Sequence, residues 1–279
     1  MMKSIHETLL SRKGALTIAL SGMLLGALIP GKLMAVDGYT DTPIVPGTKW
    51  HVHDPNRPQP EVVTPQGCVV VAPPSDAKVL FDGKSTDSWN ALGKQRKMWP
   101  VKNGVMVASY NDIETKEKFG DVQVHLEWMA PNERKEPGQK DMNSGVMFLG
   151  GEFEVQILNS YKNDTYPDGS AGSLYGQFPP LVNAGLPKGQ WQSYDIIFTA
   201  PKFKDGKLVE PARATVIRNG VVVQNAQAFH GPTGHKHVGQ YRANMAVTGP
   251  IKLQHHSDPV HFRNIWVREL KPRTDVNPE

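Results

Sequence analysis

Short segments that alternate polar and apolar residues recur between positions 78 and 270, and this pattern constrains the fold most strongly. Side chains on a strand point alternately to opposite faces, so such alternation predicts strands that are buried on one side. Turn signals separate the segments, for example Asn103-Gly104 and Asn219-Gly220, which are typical of tight hairpins. After residue 35 no stretch of helix length has a 3.6-residue period. We therefore predict an all-β fold, a sandwich of two antiparallel sheets.

The first 35 residues differ from the rest and predict a secretory signal. Lys3, Arg12 and Lys13 precede an apolar run from Ala15 to Ile29, and Leu33-Met34-Ala35 offers a cleavage point. The run is short and interrupted by glycine, which argues against a membrane span, and a retained N-terminal anchor is the alternative. We expect an exported protein, periplasmic or secreted, with no stable membrane span once the signal is removed.

Net charge and cysteine content narrow the classes of protein. The chain has 31 basic and 27 acidic residues and a formal charge of +4, of which the predicted signal holds +3. The remaining charge is close to zero, so we expect no nucleic-acid partner. Cys68 is the only cysteine. No internal disulfide can form, and stability must come from the apolar core.

Three further segments follow the signal. Residues 36–76 are rich in proline, which predicts an extended arm. The sandwich is predicted over residues 77–271 and a short tail over 272–279. In the arm we expect Trp50 to attach the chain to the domain surface.

Two groups of histidines have spacings that a metal site could use. His51 and His53 would share a strand face, but no cysteine or carboxylate pair accompanies them, so the metal signal is weak. His230, His235 and His237 lie in a glycine-rich loop with no acidic residue close in sequence, so a solvated loop is favoured over a metal trio.

The segment from Gly151 to Tyr161 is the first candidate for a functional surface. On a strand Glu152, Glu154 and Gln156 share one face, although an ordinary solvated strand has the same pattern. Phosphate loops, zinc spacings, nucleophile elbows and dinucleotide fingerprints are missing from the sequence. The remaining carboxylates, amides, histidines and aromatic residues are typical of sugar sites.

Other strands and one loop add candidates. A late strand places Gln254 and His256 on one face, and Arg263 on the last strand needs an anionic partner, for which a Glu on a neighbouring strand is the natural candidate. A structural role for Gln254 and Arg263 in joining strands is the alternative. The long strand 121–129 has Glu127 on its outer face and Trp128 on its inner face. The glycine- and proline-rich region 161–190 predicts a lid or binding loop.

Eight ordered segments carry a resemblance to a known family. They are Leu80-Phe81-Asp82-Gly83-Lys84, Ser144-Gly145-Val146, Phe153-Glu154-Val155-Gln156-Ile157-Leu158, Ser173-Leu174-Tyr175-Gly176-Gln177, Gly189-Gln190-Trp191-Gln192, Asn219-Gly220, Gly249-Pro250-Ile251-Lys252-Leu253-Gln254-His255-His256 and Phe262-Arg263-Asn264-Ile265-Trp266. Over residues 77 to 271 the chain resembles the 3-keto-disaccharide hydrolase family. The Trp-x-Val-His-Asp element of the arm resembles that found in some members.

The resemblance implies a concanavalin A-like lectin/glucanase jelly roll that cleaves glycosides carrying a ketone at C3. The ketone acidifies the C2 proton, so a base can start an elimination, and hydration can follow. The implied base is Glu154 or His256, and the implied acid is Tyr175 or His256. The implied substrate-binding residues are Gln156, Gln254, Arg263, Glu127 and Trp128. No metal ligand is assigned and no cofactor is required, while a divalent metal stays an open alternative.

Two other functions compete with this interpretation. The same sandwich could be a carbohydrate-binding domain without catalytic activity. A retaining glycosidase using Glu152 and Glu154 is less compatible with the pattern, because both carboxylates project from one wall instead of facing each other across the bond. The chain also departs from the usual family motifs at Phe148-Leu149, His255, Ser257 and His261, which alters the charge predicted for the groove.

Overall fold

A computed structural model describes residues 37–133 and 136–271. The predicted signal over 1–35 and the predicted tail over 272–279 lie outside the described residues. The strands are β1 (Glu61–Val62), β2 (Lys78–Phe81), β3 (Trp89–Ala91), β4 (Val101–Lys102), β5 (Val105–Val107), β6 (Ile113–Thr115), β7 (Val122–Met129), β8 (Ser144–Phe148), β9 (Phe153–Ile157), β10 (Val182–Asn183), β11 (Trp191–Thr199), β12 (Lys202–Lys204), β13 (Lys207–Glu210), β14 (Arg213–Arg218), β15 (Val221–Ala228), β16 (Lys252–Leu253) and β17 (His261–Glu269). Over the same ranges the only helical segments are two single 3-10 turns, Gly138–Lys140 and Pro167–Gly169.

Two antiparallel sheets form the body of the molecule. The larger sheet has the strand order β15-β14-β11-β7-β17-β5-β4, with β2 also paired to β17. The smaller sheet has the order β3-β6-β16-β8-β9. Every pairing within these two sheets is antiparallel, which confirms the predicted all-β sandwich. Two small ladders lie apart from them, an antiparallel β12–β13 hairpin and a parallel β1–β10 pair.

The core lies between the two sheets and is built from the inward side chains of alternating strands. Phe148 on β8 stacks on Phe198 of β11 with ring centroids 4.3 Å apart, and Phe153 on β9 packs on the same ring at 5.7 Å. The Tyr194 hydroxyl on β11 donates to the Gln156 carbonyl at 2.8 Å. Aromatic packing of this kind, together with buried aliphatic side chains, supplies the main driving force for folding in the absence of a disulfide.

Part of the outer face of the larger sheet is covered by the arm. Val71 of the arm accepts hydrogen bonds from the side chains of Asn264 and Trp266, both at 3.0 Å. Beneath this segment the outward side chains of His125 and Glu127 are fully buried. The alternation of β7 is therefore as predicted, but its outward side chains His125 and Glu127 are buried under the arm and not in contact with solvent.

The outer face of the smaller sheet is covered around β9, and here the covering leaves a cavity. Glu154 and Gln156 point away from the core, yet only 5% and 1% of their surfaces are exposed. Parts of the arm, of the region 161–190 and of the loop that follows β15 meet above them. Because these segments come from distant parts of the sequence, the cavity is a product of tertiary structure and not of any one motif.

Candidate functional site

The cavity on the smaller sheet has a volume of about 730 Å³. Ligand pockets for small molecules have volumes of roughly 300–1,000 Å³, so the cavity has room for a short glycoside. Five residues singled out in the sequence meet in its wall: Glu154, Gln156, Tyr175, Gln254 and His256. Their roles stay predictions, but the fold brings them to one place.

Glu154 is the most perturbed ionisable group of the cavity. Burial raises the pKa of its carboxyl to about 8, the charge of Asp112 acts in the same direction, and Lys252 opposes them. On the adjacent strand Gly145 leaves the space that the Glu154 side chain occupies, since any Cβ there would collide with the carboxyl group. A carboxyl group with this pKa can exchange protons near neutral pH, which suits acid–base chemistry.

Gln156 is held in place through one end of its amide. Its Nε2 donates to Gln139 Oε1 at 3.3 Å, and Gln139 is itself fixed by bonds to Thr165 and Gly169. Within the described part of the chain Gln156 Oε1 has no hydrogen-bond partner although it is buried. A buried amide oxygen without a partner costs free energy, and a donor from a ligand hydroxyl would relieve that cost.

Gln254 and His256 come from the chain just after β16. The Gln254 backbone N–H donates to the Gly145 carbonyl at 3.0 Å, and its carbonyl accepts from the Ser144 hydroxyl at 2.6 Å. These bonds continue the strand pairing beyond β16 and direct both side chains to the cavity. The backbone after β16 therefore positions the pair.

Tyr175 belongs to a cluster of aromatic rings beside the edge of β9. Its backbone N–H donates to the Glu154 carbonyl at 3.2 Å, which fixes the loop along the edge of β9. The Tyr175 hydroxyl lies 3.3 Å from His235 Nδ1 and 3.4 Å from the Tyr166 hydroxyl. Burial raises the pKa of Tyr175 and of Tyr166. Both phenols therefore keep their protons over the physiological range.

His235 can act as the partner of the Tyr175 hydroxyl. Burial lowers the pKa of His235, and neighbouring histidines and Lys236 act in the same direction. The neutral ring has an acceptor nitrogen, which can take a hydrogen bond from a phenol. The sequence favoured a solvated loop for this histidine; its side chain is exposed as expected, and it also lines the cavity.

The arm supplies a third wall. Asp37 and Tyr39 line the cavity, and Lys236 Nζ lies 3.5 Å from the centroid of the Tyr39 ring. The arm is attached through His53, which is completely buried, whereas the expected anchor Trp50 is only partly buried. A polar contact also attaches the arm: His53 bonds to Asp168 and so joins the arm to the region 161–190, while the role expected for Trp50 stays a prediction.

Three residues expected at the substrate lie elsewhere. Arg263 on β17 and Glu127 on β7 are opposite each other in the larger sheet, and Arg263 Nε donates to Glu127 Oε2 at 2.7 Å. The expected anionic partner of Arg263 is thus confirmed, but the pair lies on the outer face of the other sheet. Trp128 is fully buried in the core and packs against Tyr194 with ring centroids 5.7 Å apart. None of the three lines the cavity, since alternation alone does not reveal which sheet a polar face belongs to, and a substrate-binding role for them has no support from this geometry.

Glu152 completes the row of polar residues recognised in the sequence. It lies outside the cavity lining and forms an ion pair with Arg242 at the surface. Its carbonyl accepts from the Thr233 backbone N–H at 2.8 Å and supports the loop that carries His235. Glu152 and Glu154 therefore do not form a pair across the cavity.

The carboxyl, amide, imidazole and phenol groups that line this cavity are residue types found in sugar sites. Residues 76–268 match the profile of the 3-keto-alpha-glucoside-1,2-lyase-like domain. The match covers more than half of the chain, and the protein belongs to that family.

Known relatives agree with this membership. A crystal structure of a candidate glycosyl hydrolase from Parabacteroides distasonis is 43% identical, superposes with a TM-score of 0.66, and is matched over 76% of this chain and 93% of that one. A second such protein from the same organism, 21% identical with a TM-score of 0.52 over 70% of this chain and 99% of that one, shares the fold. The 3-keto-disaccharide hydrolase of Bacteroides thetaiotaomicron is 23% identical over 158 residues, or 42% of this chain. The chain spans about half (51%) of that relative's length.

Two further observations concern metal binding and membrane spans. No group of three or more His, Cys, Asp or Glu side chains in residues 37–133 and 136–271 could hold a metal ion. Over the same ranges, no helix has the length and apolar character needed to cross a membrane.

Proposed function

We propose that this protein is an exported enzyme that cleaves 3-keto-glycosides by elimination followed by hydration. The observation that carries the proposal is Glu154, a buried carboxyl group with a pKa raised to about 8 in a cavity of glycoside size. Family membership supports the substrate class, and the relative from B. thetaiotaomicron is a 3-keto-disaccharide hydrolase by name.

In the first step Glu154 removes the proton at C2 of the keto sugar. The electron pair of the C2–H bond forms the C1=C2 double bond, conjugated with the C3 ketone, and the C1–O bond breaks. The departing oxygen takes a proton from Tyr175, and the products are an alcohol and an unsaturated ketone. Catalysis of this type needs one base and one acid and no carboxylate pair across the bond.

In the second step water adds to the unsaturated ketone. The water oxygen bonds to C1, a proton returns to C2, and the product is the free 3-keto sugar. The sum of both steps is hydrolysis without net oxidation or reduction. Glu154 releases its proton and Tyr175 is reprotonated, so the enzyme returns to its initial state.

The aromatic cluster around Tyr175 supplies the acid. The Tyr175 hydroxyl keeps its proton until the leaving oxygen needs it, and His235 Nδ1 at 3.3 Å can exchange a proton with it. His256 lines the same cavity and is the alternative base or acid. Gln156 and Gln254 offer amide groups to sugar hydroxyls, and Tyr39 offers an aromatic face to the ring.

The test compares 3-keto-trehalose and 3-keto-glucosides with their unoxidised parents. The wild type is expected to cleave only the keto sugars, and Glu154→Gln should lower kcat by about 100-fold or more, because a general base contributes about 10²–10⁴-fold. Glu152→Gln is the matched control, with the same substitution two residues away on the surface. Its kcat should stay within about twofold of the wild type.

Two outcomes would contradict the proposal. Cleavage by Glu154→Gln at the wild-type rate would remove Glu154 from the mechanism. Binding of keto sugars without cleavage by the wild type, measured by titration calorimetry, would favour a carbohydrate-binding domain on the same sandwich.

A further inference from the structure

The arm makes a polar contact with the candidate site that the proposed chemistry does not use. Among the described residues, His53 is completely buried, with its backbone N–H 2.9 Å from Asp168 Oδ2 and its ring Nδ1 3.1 Å from Asp168 Oδ1. Asp168 is also fully buried. One carboxylate thus accepts two hydrogen bonds from a single residue of the arm, which fixes both the backbone and the ring of His53.

The fixed ring of His53 packs against the proposed acid, Tyr175, and against the two side chains that contact its hydroxyl. Its centroid lies 4.9 Å from that of Tyr175, 5.3 Å from that of His235 and 4.1 Å from that of Tyr166. The Tyr39 backbone N–H donates to the His53 carbonyl at 2.9 Å, so the same residue also positions the third wall of the cavity. His53 is therefore in contact with every aromatic group on this side of the site.

A second contact from the arm reaches the loops that carry Tyr175 and His235. Arg57 Nη1 donates to the Gln177 carbonyl at 3.0 Å, two residues after Tyr175. The Gln177 side chain then bridges to the other loop, donating to the Gly231 carbonyl at 2.9 Å and accepting from the His230 backbone N–H at 2.8 Å. The arm, the Tyr175 loop and the His235 loop thus form one bonded unit.

Gly176 shows how closely the loop that carries Tyr175 lies to the arm. A Cβ on Gly176, whose φ is +71°, would lie 3.4 Å from Val52 and 3.5 Å from His53, so the loop runs directly against the arm. His53 and Arg57 both lie outside residues 76–268, the segment that matches the family.

From these contacts we infer that His53, clamped by Asp168, is a positioning residue for the Tyr175–His235 pair, and that the arm is part of the active site. This inference rests on the proposed function, in which Tyr175 donates the proton to the leaving oxygen. Because a carboxylate only accepts, the Nδ1–H of His53 points to Asp168, and the ring orientation is set by that bond. The two N–H groups of His53 bond to different oxygens of Asp168, and an asparagine at 168 would present a donor NH2 group in place of one of them, so one bond would be lost.

The test uses the full-length protein and two keto substrates that differ in their need for an acid. Departure of 4-nitrophenolate from a 3-keto-glucoside needs no proton, whereas departure of methoxide does. His53→Gln and Asp168→Asn should lower kcat on the methyl glycoside by about 10- to 100-fold, part of the 10²–10⁴-fold that general-acid catalysis contributes. On the 4-nitrophenyl glycoside the decrease should be less than about threefold. His51→Gln, the same change in the same arm, should alter neither rate, since His51 contacts the Thr42 carbonyl instead.

A second measurement does not depend on activity. Hydrogen exchange followed by mass spectrometry should show faster exchange of residues 173–178 and 229–237 in His53→Gln, with the β-strands of both sheets unchanged. Equal losses on the two glycosides, or unchanged exchange in these loops, would overturn the inference. Lack of cleavage of any keto glycoside by the wild type would overturn the proposed function, and the exchange result would then still decide whether the arm orders the two loops.

Discussion

At the residue scale, Glu154 joins the sequence pattern to the chemistry. Its position on the outer face of β9 follows from period-2 alternation, and the sequence suffices to predict that face. Its pKa does not follow from the pattern, because it depends on burial under segments that are distant in sequence and on Asp112 and Lys252. The same limit applies to His235, whose loop has no strand or helix period that would locate it.

The raised pKa of Glu154 predicts a pH dependence of stability. Between pH 4.5, the ordinary value for Glu, and about 8, the folded state binds more protons at this site than the unfolded state. Stability therefore falls as pH rises through that window, by an amount on the order of a few kcal/mol, and levels off above it. Glu154→Gln removes this contribution.

Thermal unfolding of wild type and Glu154→Gln at several pH values measures the effect. The melting temperature of the variant minus that of the wild type should increase as pH rises from 5 to 8. Parallel curves for the two proteins across this range would show that Glu154 titrates with an ordinary pKa.

At the element scale, the fold was more predictable than the site. Alternation and turn dipeptides predict the strands of both sheets, as the hairpin of β4 and β5 around Asn103-Gly104 illustrates. They do not reveal which sheet a strand joins. Glu127 and Glu154 have the same local pattern, yet one faces outward from the larger sheet and the other from the smaller.

Burial of the partner predicts effects of different size for two substitutions on β17. Arg263→Ala removes the cation bonded to Glu127, whose side chain is 1% exposed. Breaking a fully buried ion pair lowers the free energy of unfolding by about 3–5 kcal/mol. The loss should be smaller here, because the Arg263 side chain is 36% exposed. Arg268→Ala on the same strand breaks an exposed pair with Asp76, and such pairs contribute about 0–1 kcal/mol.

Denaturant unfolding and kinetics of both variants test the assignment. Arg263→Ala should unfold at clearly lower denaturant and keep kcat within about twofold of the wild type when folded. A large loss of kcat with unchanged stability would return Arg263 to the substrate site.

At the scale of the whole molecule, the arm extends the protein beyond the family domain. The sequence predicts an extended arm from its prolines but not the path that brings Tyr39 and His53 to the cavity. That path depends on a histidine–aspartate contact between positions 115 residues apart, which no local pattern encodes. The cavity is therefore lined both by the arm and by the family domain, which a domain boundary at residue 76 would separate.

If the predicted secretory signal is functional, the first 35 residues are removed during export. Expression of the full chain in a Gram-negative host should yield a periplasmic protein whose mass corresponds to cleavage after Ala35 or within a few residues of it. Recovery of the intact chain in the membrane fraction would instead support a retained N-terminal anchor.

Isotope incorporation can show whether Glu154 removes the C2 proton of a 3-keto-glycoside. Cleavage in deuterium oxide should place one deuterium at C2 of the released 3-keto sugar, detected by NMR and mass spectrometry at early times against an enzyme-free control. Glu154→Gln should lose this incorporation together with cleavage, while Glu152→Gln should retain both. Release of sugar that carries only hydrogen at C2 would show direct displacement at C1 and would contradict the account.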